Sequence, residues 1–150
     1  VALGAKQQEI IKRIYKTKSL STLNSWGRAI SSLNQKVEAG FVWSALNQKD
    51  FSQTVALEEE TTGLIDELLK TASGSDFALL LSEKKGDIHG SLRSINKTID
   101  VSAIARLFDG GGHSMASAFQ INNAKLSEQT DAIISKIVKF RVNKSNKRNA

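Results

Sequence analysis

A run of three glycines constrains the fold of this chain more than any other feature. It lies in the segment Asp109-Gly-Gly-Gly-His-Ser114. Glycine is costly to order and offers no side-chain contacts, so it suits a place where bare backbone turns through positive φ or approaches another group. The residues that follow, 113–118, can begin a helix, and a glycine loop at a helix N-terminus directs N–H groups toward an anion. The segment predicts a binding loop for phosphate or carboxylate with His113 at its edge. A flexible loop is the alternative.

Composition limits the class of protein. The 150 residues suit one domain with its own core, and 40% hydrophobic and 24% charged residues are typical of a globular chain. The absence of cysteine excludes disulfides, Cys-ligated zinc, iron–sulfur clusters and a cysteine nucleophile. No apolar run approaches the roughly 18 residues of a membrane span, and no signal peptide is visible. We expect a cytoplasmic protein without a membrane partner, which could form an oligomer.

The positive charge is concentrated at the two ends of the sequence. The net charge is +6, with seven bases and one acid in residues 1–36, and six bases and no acid in residues 132–150. Basic ends attract nucleic-acid phosphates without sequence preference. Alternatively they form a solubilising helix face followed by a disordered tail, which is our interpretation of residues 143–150. Because the sequence begins without Met, we also expect it to be part of a longer polypeptide.

The hydrophobic pattern divides the chain into helices and strands. A helical stripe runs over residues 10–15, and the same periodicity predicts helices at 22–38, 58–72, 101–108 and 127–141, the last with Ser127 as N-cap. Short apolar or alternating runs predict strands at 41–46, 77–81, 88–95 and 118–121, with a hairpin turn at 84–87. Helices around a few strands indicate an α/β fold, in which a mixed β-sheet is flanked by helices.

One of these strands carries an arginine suited to an anion. Alternation places two sets of side chains on opposite faces of the strand: Ile88, Gly90 and Leu92 on one, and His89, Ser91 and Arg93 on the other. A guanidinium offers five donors in a rigid fork, and Ser91 and Ser94 add hydroxyl groups nearby. Arg93 is therefore a second anion contact if folding brings it to the glycines. The alternative is a surface arginine paired with an acid.

The two histidines do not indicate a metal site. His113 could act as a general acid or base, a metal ligand, a phosphate donor or a capped helix residue. A hydrolytic metal site needs three or more protein ligands, and His89, His113 and the nearby aspartates lack a suitable spacing. Ser114 and Ser117 have no recognisable partners for a catalytic triad. We therefore expect no catalytic residue and no metal ligand in this chain.

Three segments in order resemble a known family. They are Ser91-Leu-Arg-Ser94, Ile99-Asp-Val-Ser-Ala-Ile-Ala105 and Phe108-Asp-Gly-Gly-Gly-His113, the last followed by Ala116. Together they resemble the C-terminal, DHH-associated domain of the DHH phosphoesterases, and most closely its RecJ-like oligoribonuclease and 3′-phosphoadenosine-5′-phosphate phosphatase branch. The strand at 41–46 is similar to the first strand of that domain. The resemblance covers residues 6–121.

The resemblance implies a division of labour between two domains. It assigns residues 41–142 to the DHH-associated domain, 1–40 to a helical connection from an N-terminal catalytic domain, and 143–150 to a basic tail. In the family, divalent ions, usually manganese, are held by Asp and His residues of that N-terminal domain, which include an Asp-His-His motif. No Asp-His-His occurs in this sequence. The chain is therefore expected to hold no cofactor and to be inactive alone, with manganese or magnesium implied for the catalytic domain.

The resemblance also implies a substrate site. Phosphate of a nucleotide or short single-stranded oligonucleotide would be bound by Ser91, Arg93, Ser94, Gly110, Gly111, Gly112 and His113. Two positions depart from the family pattern, since Asp109 and Ala118 stand where relatives carry glycine, and both put the tightness of the phosphate grip in question. Two other functions stay open: a non-catalytic nucleic-acid-binding module that uses the basic ends, and a plain interaction domain.

Overall fold

The computed structural model describes residues 20–47, 63–66, 72 and 74–149, and within them six strands form one mixed sheet. The strand order is β1-β2-β3-β4-β6-β5, and every neighbouring pair is antiparallel except β2 and β3, which run parallel. The strands are β1 (Asn34–Lys36), β2 (Phe41–Leu46), β3 (Phe77–Lys84), β4 (Asp87–Ser94), β5 (Gly111–Gly112) and β6 (Ala116–Ile121). The predicted strands and the hairpin turn at 84–87 are confirmed.

Helices lie on both sides of this sheet. They are α1 (Leu20–Ser31), α2 (Val101–Ala105) and α3 (Leu126–Asn149), and residues 63–66 are also helical. Short 3₁₀ helices cover Val37–Ala39 and Arg106–Phe108. The helix predicted at 101–108 is thus confirmed as α2 and its 3₁₀ continuation. The stripe at 10–15 and most of the predicted helix at 58–72 lie outside the described residues.

The two faces of the sheet bury separate apolar layers. We call the face under α2 and α3 the α3 face; it buries the side chains of Phe41, Phe77, Leu79, Leu81, Ile88 and Leu92. The opposite, α1 face buries those of Val42, Leu46, Ala78 and Leu80 against α1 and residues 63–66. This second layer covers β2 and β3. Among the described residues, this layer does not extend over β4, β6 and β5, which form the outer half of the α1 face.

The first helix is shorter than its periodicity predicts. The prediction extended it to residue 38, whereas α1 ends at Ser31. The Ser32 hydroxyl donates to the Arg28 carbonyl oxygen at 2.8 Å, which satisfies a terminal acceptor of the helix. The chain then reverses into β1 at the sheet edge. Leu33 and Val37 continue the helical spacing but are 37% and 77% exposed, so they do not belong to a buried stripe.

The last helix is longer than predicted at its C-terminus. The sequence predicts a disordered tail at residues 143–150, but α3 continues to Asn149 with exposed side chains. The N-terminus also differs, because the helix begins at Leu126 rather than after Ser127. The Leu126 N–H donates to the Glu83 carboxylate at 2.9 Å, so the first turn is capped from β3.

Arg141 fixes the middle of α3 to the sheet. Its Nε donates to the Ala39 carbonyl oxygen at 3.1 Å, and its Nη2 donates to the Asp76 carboxylate at 3.0 Å. The guanidinium also lies 5.5 Å from the centroid of the Phe77 ring. These contacts follow the last buried residue of the helix, Ile137, and mark the point beyond which α3 extends into solvent.

Candidate functional site

A pocket of about 440 Å³ lies on the α1 face, above β4, β6 and β5. The strand register explains its floor: Ser91 pairs with Ala118, and Ala118 pairs with Gly111, so the three form one row across the strands. Small side chains in this row leave the backbone close to the surface. The pocket is lined by Ser82, Lys84, His89, Gly90, Ser91, Arg93, Gly111, Gly112, Ala116, Ser117, Ala118 and Phe119.

Four of the seven predicted site residues line this pocket. They are Ser91, Arg93, Gly111 and Gly112. The strand alternation in β4 directs Ser91 and Arg93 to the α1 face, and β5 reaches the same side through its pairing with β6. The expected meeting of the arginine with the glycine segment is therefore present in the fold.

The other three predicted residues lie outside the pocket lining. Ser94 is buried one residue beyond Arg93, and its hydroxyl donates to the Asn96 carbonyl oxygen at 2.5 Å. The Gly110 N–H donates to the Ala105 carbonyl oxygen at 3.0 Å. His113 is exposed in the turn between β5 and β6. The family resemblance assigned these residues to the site; strand alternation turns Ser94 to the face opposite Arg93, and His113 lies in the turn.

The glycine segment does not begin a helix. Instead, β5 and β6 form a hairpin in which His113 and Ala116 exchange two backbone hydrogen bonds, at 2.8 and 3.3 Å. Antiparallel ladders alternate bonded and non-bonded pairs, so Gly111 and Ala118 form the next bonded pair and the Gly112 N–H faces the open sheet edge. The predicted fan of helix N-terminal amides is therefore wrong. Instead of several helix N–H groups, the segment presents the one N–H of Gly112 at the sheet edge.

Glycine occurs at these three positions for different physical reasons. Gly112 has a φ of +143°, and a Cβ there would lie 2.7 Å from the Ala116 carbonyl oxygen; at Gly110 it would lie 2.3 Å from the Ala118 carbonyl oxygen. Gly111 has neither a positive φ nor any described atom within 4 Å of a Cβ. Because Gly111 lines the pocket, the space that its missing side chain leaves open is space within the pocket itself.

Arg93 is held at one end of the pocket. Its Nε donates to the Asp66 carboxylate at 2.9 Å and its Nη1 donates to the Leu92 carbonyl oxygen at 3.0 Å, with the side chain 18% exposed. The pairing with an acid that sequence analysis left open thus exists, in a residue that also faces the pocket. Nη2 has no hydrogen bond to any residue that the structure describes, and this nitrogen carries two donors.

The described part of the pocket lining carries basic side chains and no acidic ones. Lys84 and His89 join Arg93 there, and none of the described lining residues is acidic. Asp109, one of the two departures from the family pattern, is exposed, ends a 3₁₀ helix with a φ of +60° and lies outside the lining. The other departure, Ala118, places its methyl group in the pocket floor between Ser91 and Gly111. The pocket can therefore attract an anion.

The described residues do not fit a divalent metal site. Among them there is no group of three or more His, Cys, Asp or Glu side chains that could hold an ion. In the same described part of the chain, no helix is long and apolar enough to cross a membrane.

Solved structures share this fold. An exopolyphosphatase-related protein from Bacteroides fragilis superposes with a TM-score of 0.72 and 21% identity, over 89% of this chain and 38% of that protein. The DHH domain of a member of a family of ribosomal proteins gives a TM-score of 0.53 and 17% identity, over 79% of this chain and 30% of the other. This chain therefore spans well under half the length of each.

Sequence comparison identifies the family. No curated protein matches the chain. The family described as the DHHA1 domain matches residues 31–142, a range that includes all six strands and most of α3. The chain therefore belongs to the DHHA1 domain family.

Proposed function

We propose that this chain binds substrate phosphate for a DHH-family phosphoesterase whose Asp/His metal domain belongs to the same polypeptide. The substrate would be a nucleotide or a short single-stranded oligonucleotide. The observation that carries the proposal is the meeting of Arg93, Ser91 and Gly111 in one pocket lined by no described carboxylate. Family membership supports it, and the arrangement of the motifs favours the RecJ-like oligoribonuclease and 3′-phosphoadenosine-5′-phosphate phosphatase branch.

In this proposal the chain orients its ligand without cleaving it. Nη2 of Arg93 and the Ser91 hydroxyl donate to phosphate oxygens, and Gly111 lets the ligand approach bare backbone. Each charge-assisted hydrogen bond contributes about 1.5–3 kcal/mol, so two or three suffice to fix an orientation. The manganese or magnesium that the family implies would be held outside this chain.

A single added methyl group tests the proposal. Gly111→Ala introduces no strained φ and meets no described atom, so we expect unchanged or slightly raised stability. The methyl group enters the pocket, and we expect it to weaken binding of a 5′-phosphorylated diadenylate about tenfold or more, measured by calorimetric titration. Gly27→Ala is the matched control, because Gly27 is equally unobstructed but lies on α1, away from the pocket. Equal affinity of Gly111→Ala and wild type, or no binding by wild type, would refute the proposal.

A second candidate function, nucleic-acid binding through α3, is favoured by the continuation of that helix to Asn149. Lys144, Lys147 and Arg148 are exposed on it, and residues 132–150 contain no acid. The helix packs on the face opposite the pocket, so the two functions are separable. Binding of single-stranded RNA through α3 should weaken with salt, and glutamine at all three positions should reduce the log–log slope by about 0.7 for each phosphate that is no longer neutralised. Gly111→Ala should leave that slope unchanged.

A further inference from the structure

We propose that the pocket contains a second anion subsite at Lys84 and His89, so that its ligand is a chain with at least two phosphoryl groups. This inference rests on the proposed function and deepens it. The first subsite is the end of the pocket at Arg93 and Gly111. The second is formed by residues to which neither the sequence motifs nor the family resemblance assigned a role.

The strand register separates the two ends. His89 precedes Arg93 by four residues in β4, and both side chains line the pocket, so their Cα atoms lie about 14 Å apart along the strand. Ser82 on β3 pairs with His89, and Lys84 lies one step further along the same face. The basic groups therefore follow the strand direction rather than converge on one point.

Arg93 cannot serve both ends. Its bonds to Asp66 and to the Leu92 carbonyl oxygen hold the guanidinium at its own end of the pocket. A phosphate oxygen bound by that guanidinium lies within about 3 Å of a donor nitrogen. One phosphoryl group in that position leaves the Lys84 end for another anionic group.

The second end has the donors that such a group requires. Lys84 and His89 each take part in an interaction of their own. An ammonium nevertheless carries three donors and an imidazole at least one, so each side chain can also contact a ligand. The floor between the ends is formed by Gly90, Ser91 and Ala118, which present backbone, one hydroxyl and one methyl group. This floor suits an extended ligand, because no long side chain interrupts it.

Two ligands that differ by one phosphate test the inference. We would titrate the 150-residue chain with 5′-phosphorylated diadenylate and with unphosphorylated diadenylate, which share all other groups. Wild type should prefer the phosphorylated form about tenfold, the effect of one charge-assisted contact. Lys84→Gln should reduce that preference to less than about threefold. Lys85→Gln is the matched control: it removes the same charge from the adjacent, exposed turn residue and should keep the preference.

The outcomes separate this inference from the function on which it rests. If Lys84→Gln and Lys85→Gln change the preference equally, or neither changes it, while Gly111→Ala still weakens binding as predicted, the second subsite is wrong and the proposed function stands. If wild type binds neither diadenylate, both fail. Competition by inorganic tripolyphosphate distinguishes the source of the phosphate chain: displacement that depends on Lys84 at similar affinity indicates a polyphosphate ligand, and weak displacement indicates an oligonucleotide.

Discussion

The ring of Phe119 occupies the space where Gly90 would carry a side chain. The two residues are directly paired between β4 and β6, and a Cβ on Gly90 would lie 2.2 Å from the Phe119 Cζ atom. Phe119 also stacks on Phe108, with 4.4 Å between the ring centroids. Gly90 therefore leaves room for the rings of Phe108 and Phe119 to stack on the α3 face, directly beneath the pocket.

We predict that Gly90→Ala destabilises the fold by about 1–3 kcal/mol, because the added methyl group overpacks against the Phe119 ring. Urea unfolding followed by circular dichroism measures this change. Gly27→Ala is the control, and should raise stability by about 0.5–1 kcal/mol through its helix propensity. Equal midpoints for Gly90→Ala and wild type would show that Phe119 moves aside at no cost.

We predict that Asp66→Asn strengthens phosphate binding. Asp66 competes with a ligand for Arg93, and its side chain is 39% exposed. A pair of this kind is worth about 0.2–1 kcal/mol, so the affinity for 5′-phosphorylated diadenylate should rise by a factor between about 1.4 and 5. Asp109→Asn removes the same charge outside the pocket lining. If Asp109→Asn raises the affinity equally, the cause is the general electrostatic field of the protein and not release of the Arg93 guanidinium.

We predict that Arg141→Gln loosens the outer half of α3. The bonds from Arg141 to Asp76 and Ala39 join the helix to the sheet, and we expect a loss of about 1–2 kcal/mol in unfolding free energy. Hydrogen exchange of residues 142–149 should accelerate. A double-mutant cycle with Asp76→Asn should give a positive coupling, whereas Lys139→Gln, on an exposed position of the same helix, should change neither quantity. Simple additivity in the cycle would contradict this role for the ion pair.

We predict that Asp100 stabilises the protein in a pH-dependent manner. Asp100 is the N-cap of α2, and the hydroxyl of Ser102, together with its N–H, holds the pKa of the Asp100 carboxyl below its ordinary value. A carboxyl group whose pKa is lowered in the folded state stabilises the fold fully at pH values above its unfolded-state pKa, near 3.9. This stabilisation is lost as the pH falls through the folded-state pKa. Asp100→Ala should therefore lower the Tm at pH 7, and the difference from wild type should narrow at acidic pH.

Ser102→Ala supplies the control for that prediction. Without the hydroxyl donor the folded-state pKa of Asp100 moves toward its ordinary value, so the acid-dependent loss of stability should be smaller than in wild type and should be complete at a higher pH. A difference between Asp100→Ala and wild type that does not change with pH would mean that the carboxylate charge is not what caps α2.

The sequence was sufficient to predict the faces of residues 88–93 in β4. Burial there alternates residue by residue, and Ser91 and Arg93 reach the pocket as the period of two requires. Their meeting with Gly111 could not be derived in the same way, because it depends on β6 lying between β4 and β5. That strand order is set by packing between distant segments, and only the family resemblance suggested it.

The errors have local physical causes. The turn at Ser114 and Met115 contains no glycine, asparagine or proline, and a single serine is too weak a signal to predict a hairpin instead of a helix. Residues 142–149 contain a single apolar side chain, Val142, and hydrophobic periodicity therefore could not show that α3 continues. The pairing of Arg93 with Asp66 joins residues 27 positions apart, a separation at which sequence patterns carry no geometry.

The alternation in β4 also determines how this strand can evolve. Pocket residues and core residues follow one another in the same eight positions, so inserting or deleting one residue would exchange Arg93 and Ser91 with the buried Leu92 and Ile88. Changes in length should therefore accumulate in the neighbouring turn at Lys85 and Gly86, whereas β4 itself should keep a constant length wherever the pocket is used.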